Sequence, residues 1–144
     1  MSLVILGVGN VLMTDDGVGV HAARALAADP PARATVHEVG TAVFDALAII
    51  EQAREVIAID AVDAGEPPGS VISFDLDDRE QVAAPVSLHA FDLPALVRLL
   101  PRAIRPRVVV IGIQPAVVEP GLDLSPAVSA SLPALLAEVR ALAA

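Results

Sequence analysis

Short β-branched runs alternate along this chain with Ala- and Leu-rich stretches at helical spacing, and no other feature constrains its fold as much. Parallel strands buried on both faces read as near-continuous apolar runs, and each needs a covering helix before the next. The alternation therefore implies βαβ units and a mostly parallel sheet. The runs predict strands at 2–7, 34–39, 56–61, 70–75 and 107–113, with helices at 17–28, 41–53, 90–100 and 126–143. Gly17, Thr41 and Ser125 open three of these helices as turn or capping residues. The link from Asp60 to Ser70 contains Gly65, Pro67, Pro68 and Gly69 and is shorter than the roughly dozen residues of a parallel crossover. The fourth strand is thus expected at an antiparallel edge, giving a three-layer α/β/α fold on a five-stranded, mostly parallel sheet.

At 144 residues the chain can bury one sizeable core, so residues 1–144 read as a single domain. Its longest apolar runs, at 3–9 and 108–113, fall far short of the roughly 18 residues of a membrane span. The amino-terminal residues have no basic stretch, and Gly7, Gly9, Asn10, Asp15 and Asp16 interrupt any secretory core, which leads to the expectation of a cytoplasmic protein. A formal charge of −9 repels a phosphate backbone, so nucleic acid is not an expected partner. With no cysteine there is no disulfide and no thiolate nucleophile, and a metal would have to be held by carboxylate and imidazole. The acidic run Asp75, Asp77, Asp78 and Glu80 reads as a solvated loop after an edge strand.

Chemistry concentrates in Gly7-Val8-Gly9-Asn10-Val11-Leu12-Met13-Thr14-Asp15-Asp16-Gly17-Val18-Gly19, which leaves a hydrophobic strand and enters a helix. Doubly wound folds keep ligand sites there. A dinucleotide fingerprint would use Gly7, Gly9 and Glu38, the last at the end of the second strand where a ribose-binding acid belongs. Leu12 stands at the third glycine position, however, and Asp15 with Asp16 sets two negative charges where a pyrophosphate would need a helix N-terminus. A nucleotide-binding regulatory domain is therefore the alternative reading. The plain structural account, a glycine turn with aspartate caps, needs only one Asp, whereas adjacent carboxylates in a cleft call for a cation or a proton between them.

Asp60 closes the apolar run Val56-Ile57-Ala58-Ile59 at the carboxyl edge of a central strand, where an ionised side chain must replace its lost hydration. Asp63 follows in a loop as a turn former. His89 stands at the start of a helix, after the fourth strand, whereas His21 and His37 lie inside a helix and a strand. Asp16, Asp60 and His89 make a two-carboxylate, one-imidazole set suited to nickel or zinc. The chain lacks a Gly-x-Ser-x-Gly elbow, a His-Glu-x-x-His helix and a phosphate loop ending in Gly-Lys.

The segment at residues 7–19 closely resembles the Gly-x-Gly-Asn-x-Leu-x-x-Asp-Asp/Glu-Gly-x-Gly motif of the nickel-iron hydrogenase maturation endopeptidases. Other landmarks of that family follow in order: Glu38-Val39-Gly40-Thr41, Asp60, His89, Gly112-Ile113-Gln114-Pro115, and Glu119-Pro120-Gly121-Leu122-Asp123-Leu124-Ser125-Pro126. The resemblance implies an endopeptidase that removes a C-terminal extension from the large-subunit precursor of a nickel-iron hydrogenase after nickel insertion. It assigns Asp16, Asp60 and His89 to the metal, with Asp16, Asp60 and Glu38 as candidate catalytic acids. Many members carry Glu at the position of Asp16 and Asp at that of Glu38. The expected metal is nickel supplied by the substrate, with zinc or cadmium as surrogates, and it acts by polarising a carbonyl, by activating water, or by docking the substrate beside a carboxylate base.

Overall fold

Alternate residues of a strand face opposite sides of its sheet, and the central strands of this chain are apolar at both parities. In the computed structural model, which describes residues 2–76, 86–87 and 93–144, the strands are β1 (Leu3–Val8), β2 (Ala34–Gly40), β3 (Glu55–Asp63), β4 (Val71–Asp75), β5 (Val86–Ser87) and β6 (Arg107–Ile113). Their order is β2-β1-β3-β6-β4, with β5 off this path against the end of β3. β1, β2, β3 and β6 run parallel, and β4 is antiparallel to β6 at the edge. The five expected strands and the antiparallel edge are observed, and the two-residue β5 is an addition that was not expected. The Pro- and Gly-rich link carries the chain from β3 past one sheet position, which β6 later fills.

One parity of the strands, including Val4, Leu6, Val56, Ala58, Val62 and Val110, packs with α2 (Leu47–Ile50) and α3 (Leu93–Arg98). The other, including Leu3, Ile5, Ile57, Ile59, Ile111 and Ile113, packs with α1 (Val18–Ala28) and α4 (Pro126–Leu142). These two cores make the three layers. Ser125 caps α4 as expected, its hydroxyl accepting the N–H of Val128 at 3.4 Å ahead of Pro126 in the first turn.

Two elements differ from expectation. The helix predicted at 41–53 is a 3-10 turn, Val43–Ala46, followed by one α-turn. Its buried residues Val43 and Ala46 stand three apart, the repeat at which a 3-10 helix stacks its side chains, and Ile50 completes the cover. β3 runs on to Asp63 instead of ending at residue 61, because Val62 and Asp63 pair with β5. The helix expected at 90–100 is described only from Leu93, and His89 with most of the acidic run lies outside the described residues. No helix among the described residues is long and apolar enough to cross a membrane.

Candidate active site at the carboxyl edge of the sheet

Asp60 is the first residue of β3 beyond its pairing with β1, which ends at Gly7 opposite Ile59, while pairing with β6 continues through Gly112 and Ile113. The residue is therefore not at the strand end; it stands inside β3 at the point where β1 leaves the sheet. Its side chain is fully buried, on the parity of Ala58 and Val62, and its Oδ1 accepts the N–H of Ala61 at 2.9 Å. A carboxylate in that apolar row is a cost that packing alone does not explain. Gly112 beside it has to be small, since a Cβ there would come within 2.2 Å of the Val62 side chain and 2.7 Å of the Asp60 carbonyl.

Gly9 brings the first motif against the same point. At φ 129° it adopts a backbone that favours glycine, and a Cβ would lie 2.1 Å from the carbonyl oxygen of Asp16 and 3.2 Å from Oδ1 of Asp60. Asp16, 4% exposed, turns Oδ2 to the N–H of Asn10 at 3.2 Å. Gly9 thus lies between the main chain of Asp16 and the carboxylate of Asp60, and the Asp16 carboxylate turns to the neighbouring Asn10.

The adjacent Asp15 does something else. It is fully buried and accepts four hydrogen bonds, from the N–H and hydroxyl of Ser125 at 2.7 and 2.8 Å and from the N–H groups of Ala116 and Val117 at 2.9 and 3.0 Å. Burial pushes its carboxyl up, but these donors, the Ser125 N–H foremost, outweigh it and hold the group below its ordinary range. Neither aspartate caps the following helix with its side chain. The pair divides its work: Asp15 fastens the distant loop at 116–125, and Asp16 faces Asn10.

Thr14 strengthens that fastening at the expense of its own backbone, which sits at φ 51°, uncommon for a β-branched residue. Its N–H donates to Gly121 and its hydroxyl donates to Val117 while accepting from Glu119. Gln114 closes the third loop: its Oε1 accepts from Ala64 at 2.7 Å and Glu66 at 3.3 Å, and its Nε2 donates to Asp63 at 3.3 Å. Asp63 is the expected turn former, accepting the N–H of Gly65 at 3.2 Å. Gln114 stood in the sequence only within the Gly112-Ile113-Gln114-Pro115 landmark and without a role; its place directly after a strand at the carboxyl edge is the further signal. Gln114→Ala is expected to lower stability by about 1–2 kcal/mol, read as a lower urea midpoint at unchanged m-value.

Glu38 is not brought together with the two buried acids. It lies on the parity of Ala34 and Val36, toward α1, where it is exposed and ion-paired with Arg24. It lines a cleft of about 260 Å³ with Arg24, Gly9, Asn10 and Thr41. That volume is small for a dinucleotide, and the Asn10 N–H that a phosphate would use already serves Asp16. Among the described residues no group of three or more His, Asp or Glu side chains has metal-holding geometry; His89 lies outside them.

A family model described as hydrogenase maturation protease matches residues 20–141. The hydrogenase expression/formation protein HupD of Rhodobacter capsulatus is 34% identical over 94% of this chain and 68% of its own length. The hydrogenase 3 maturation protease of Escherichia coli K12 is 33% identical over 82% of this chain and 76% of its own. The solved structure of the [NiFe] hydrogenase maturation protease HybD from Thermococcus kodakarensis superposes with a TM-score of 0.85 at 32% identity, covering all of both chains. With its glycine-framed carboxylates at the carboxyl edge of a matching fold, this chain belongs to the hydrogenase maturation protease family and is an endopeptidase by class.

Proposed function

We propose that this chain removes the C-terminal extension from the large-subunit precursor of a nickel-iron hydrogenase once nickel is in place, and that it does so in the cytoplasm. The observation that carries the reading is the fully buried Asp60 at the point where β1 leaves the sheet, with Asp16 brought to the same glycine. Carboxylates without any thiolate are weak competitors for a divalent ion held by sulfur, so such a site can engage the nickel of a precursor without extracting it. The resemblance adds His89 as the imidazole of the set, and zinc or cadmium as surrogates for nickel.

In this reading the nickel arrives as part of the substrate and gives the enzyme a fixed point on it. Asp16 and Asp60 hold that point, which sets the neighbouring peptide at high effective concentration beside them. A carboxylate of the pair then takes the proton of the attacking water. The fastened loops at 63–66 and 116–125 keep both acids in place as the substrate docks.

The test compares matched precursor preparations with and without nickel, free metal being removed by a chelator after loading, with mass analysis of the large subunit. Cleavage of the loaded precursor alone is the expected result. Equal cleavage of both would show that nickel is not the recognition element.

A further inference from the structure

Four of the nine arginines, Arg98, Arg102, Arg105 and Arg107, fall within ten residues that contain no acid, in a chain of net charge −9. This segment leaves α3, passes through a 3-10 turn at Arg102–Ile104 and enters β6 at the amino edge of the sheet. Arg54 joins it from the residue just before β3, its carbonyl accepting the N–H of Arg107 at 3.0 Å. The arginines around this face are mostly neutralised: Arg33 by Glu55 at 3.7 Å, Arg107 by Asp75 at 3.0 Å, Arg140 by Asp29 at 4.0 Å. Arg54, Arg102 and Arg105 have no carboxylate within 4 Å among the described residues.

Arg105 is also held in place, donating from Nε to the Leu100 carbonyl at 2.9 Å and from a terminal nitrogen to that of Arg98 at 3.1 Å. Between these cations stand Leu99 and Ile104, 69% and 48% exposed. A cleft of about 520 Å³ runs between Gln52 and Arg54 on one bank and Ile104 and Arg105 on the other; Glu51 is the single acid lining it. Exposed leucine and isoleucine set among guanidinium groups that have no carboxylate partner among the described residues form a surface that water does not favour and that carboxylates do.

We propose that this face docks an acidic segment of a partner protein that carries apolar side chains between its carboxylates. Guanidinium groups pair bidentately with carboxylates, and Arg with large apolar residues is the composition of interface centres. A bilayer with anionic headgroups fits less well, since it is flat and the banks at Arg54 and Arg105 enclose a cleft that a peptide segment can enter. The face lies at the opposite end of the nine-residue β3 from Asp63, roughly 30 Å at ~3.3 Å per residue, so an occupant leaves the carboxylate edge open.

The probe is a fluorescein-labelled peptide of alternating glutamate and leucine, compared by anisotropy with its glutamine-for-glutamate version and with phosphatidylserine–phosphatidylcholine vesicles. Wild type is expected to bind the acidic peptide at least about tenfold tighter than the neutral one, with an affinity that falls as salt rises. The Arg54→Gln/Arg102→Gln variant should lose at least that factor and keep its melting temperature, because neither side chain makes a hydrogen bond or ion pair among the described residues. Equal affinity for the two peptides, or full affinity in the double variant, overturns the proposal. So does vesicle binding that the variant abolishes while neither peptide binds, which would give the face to membranes.

Discussion

Asp60→Asn stops precursor processing while the chain stays folded. Asparagine keeps the oxygen that accepts the Ala61 N–H and nearly the same volume, and it removes a charge from a fully buried position. Stability is therefore expected within about 1 kcal/mol of wild type, while processing of nickel-loaded precursor falls by about 10³-fold, the scale of losing a general base. A time course of large-subunit mass reads the rate, and wild-type kinetics in this variant would take Asp60 out of the site. Asp16→Asn beside it separates the two ways such a site can work. A loss confined to KM means that the carboxylate docks the substrate metal, and a loss in kcat at unchanged KM means that it serves the chemical step.

The sheet was legible because strand parity is a local property. Val4 and Leu6 against Leu3 and Ile5 already announce two covered faces, and the short Pro- and Gly-rich link already forbids a parallel fourth strand. The position of Asp60 at the carboxyl edge was legible for the same reason. Its exact station was not, since β3 is prolonged by a partner strand that no pattern within β3 reports. The middle helix was overextended because apolar spacing of three and four residues suits a single turn as well as a long helix.

The two adjacent aspartates mark the limit of such reading. They are the same residue type at consecutive positions, and only partners about 100 residues away tell them apart. Asp15 meets Ala116, Val117 and Ser125, whereas Asp16 meets its own turn at Asn10. Gln114 is the same case in neutral form, because its clamp on Ala64 and Glu66 exists only once β6 lies beside β3. Glu38 was placed on β2, which runs two residues past it to Gly40, yet strand parity sends it to the face opposite Asp60, where Arg24 takes it. The carboxyl edge is thus built by three loops that polar side chains tie together, and Asp16 and Asp60 take their positions within that framework.

Asp15→Asn tests that dependence through stability. An amide offers one oxygen where the carboxylate offers two, so part of the Ala116, Val117 and Ser125 donor set is left facing N–H groups. The expected loss is roughly 3 kcal/mol at neutral pH, the scale of charge-assisted hydrogen bonds broken with donors left unmade, or about 6–12 °C in melting temperature at the ~2–4 °C per kcal/mol of a chain this size. The sign of the pH dependence follows from the lowered carboxyl of Asp15. A group that holds its proton less tightly when folded stabilises the fold above its unfolded pKa of about 3.9, and that stabilisation drains away as pH falls through this value toward the lower folded one. The gap between wild type and variant should therefore be constant above about pH 5 and narrow steadily below about pH 4, as protonation weakens the wild-type latch. Urea unfolding between pH 7 and pH 3 measures it. A gap of unchanged size across that range would mean that shape, and not charge, makes the Asp15 latch, and the loop at 116–125 would then be held by packing that a neutral side chain supports equally well.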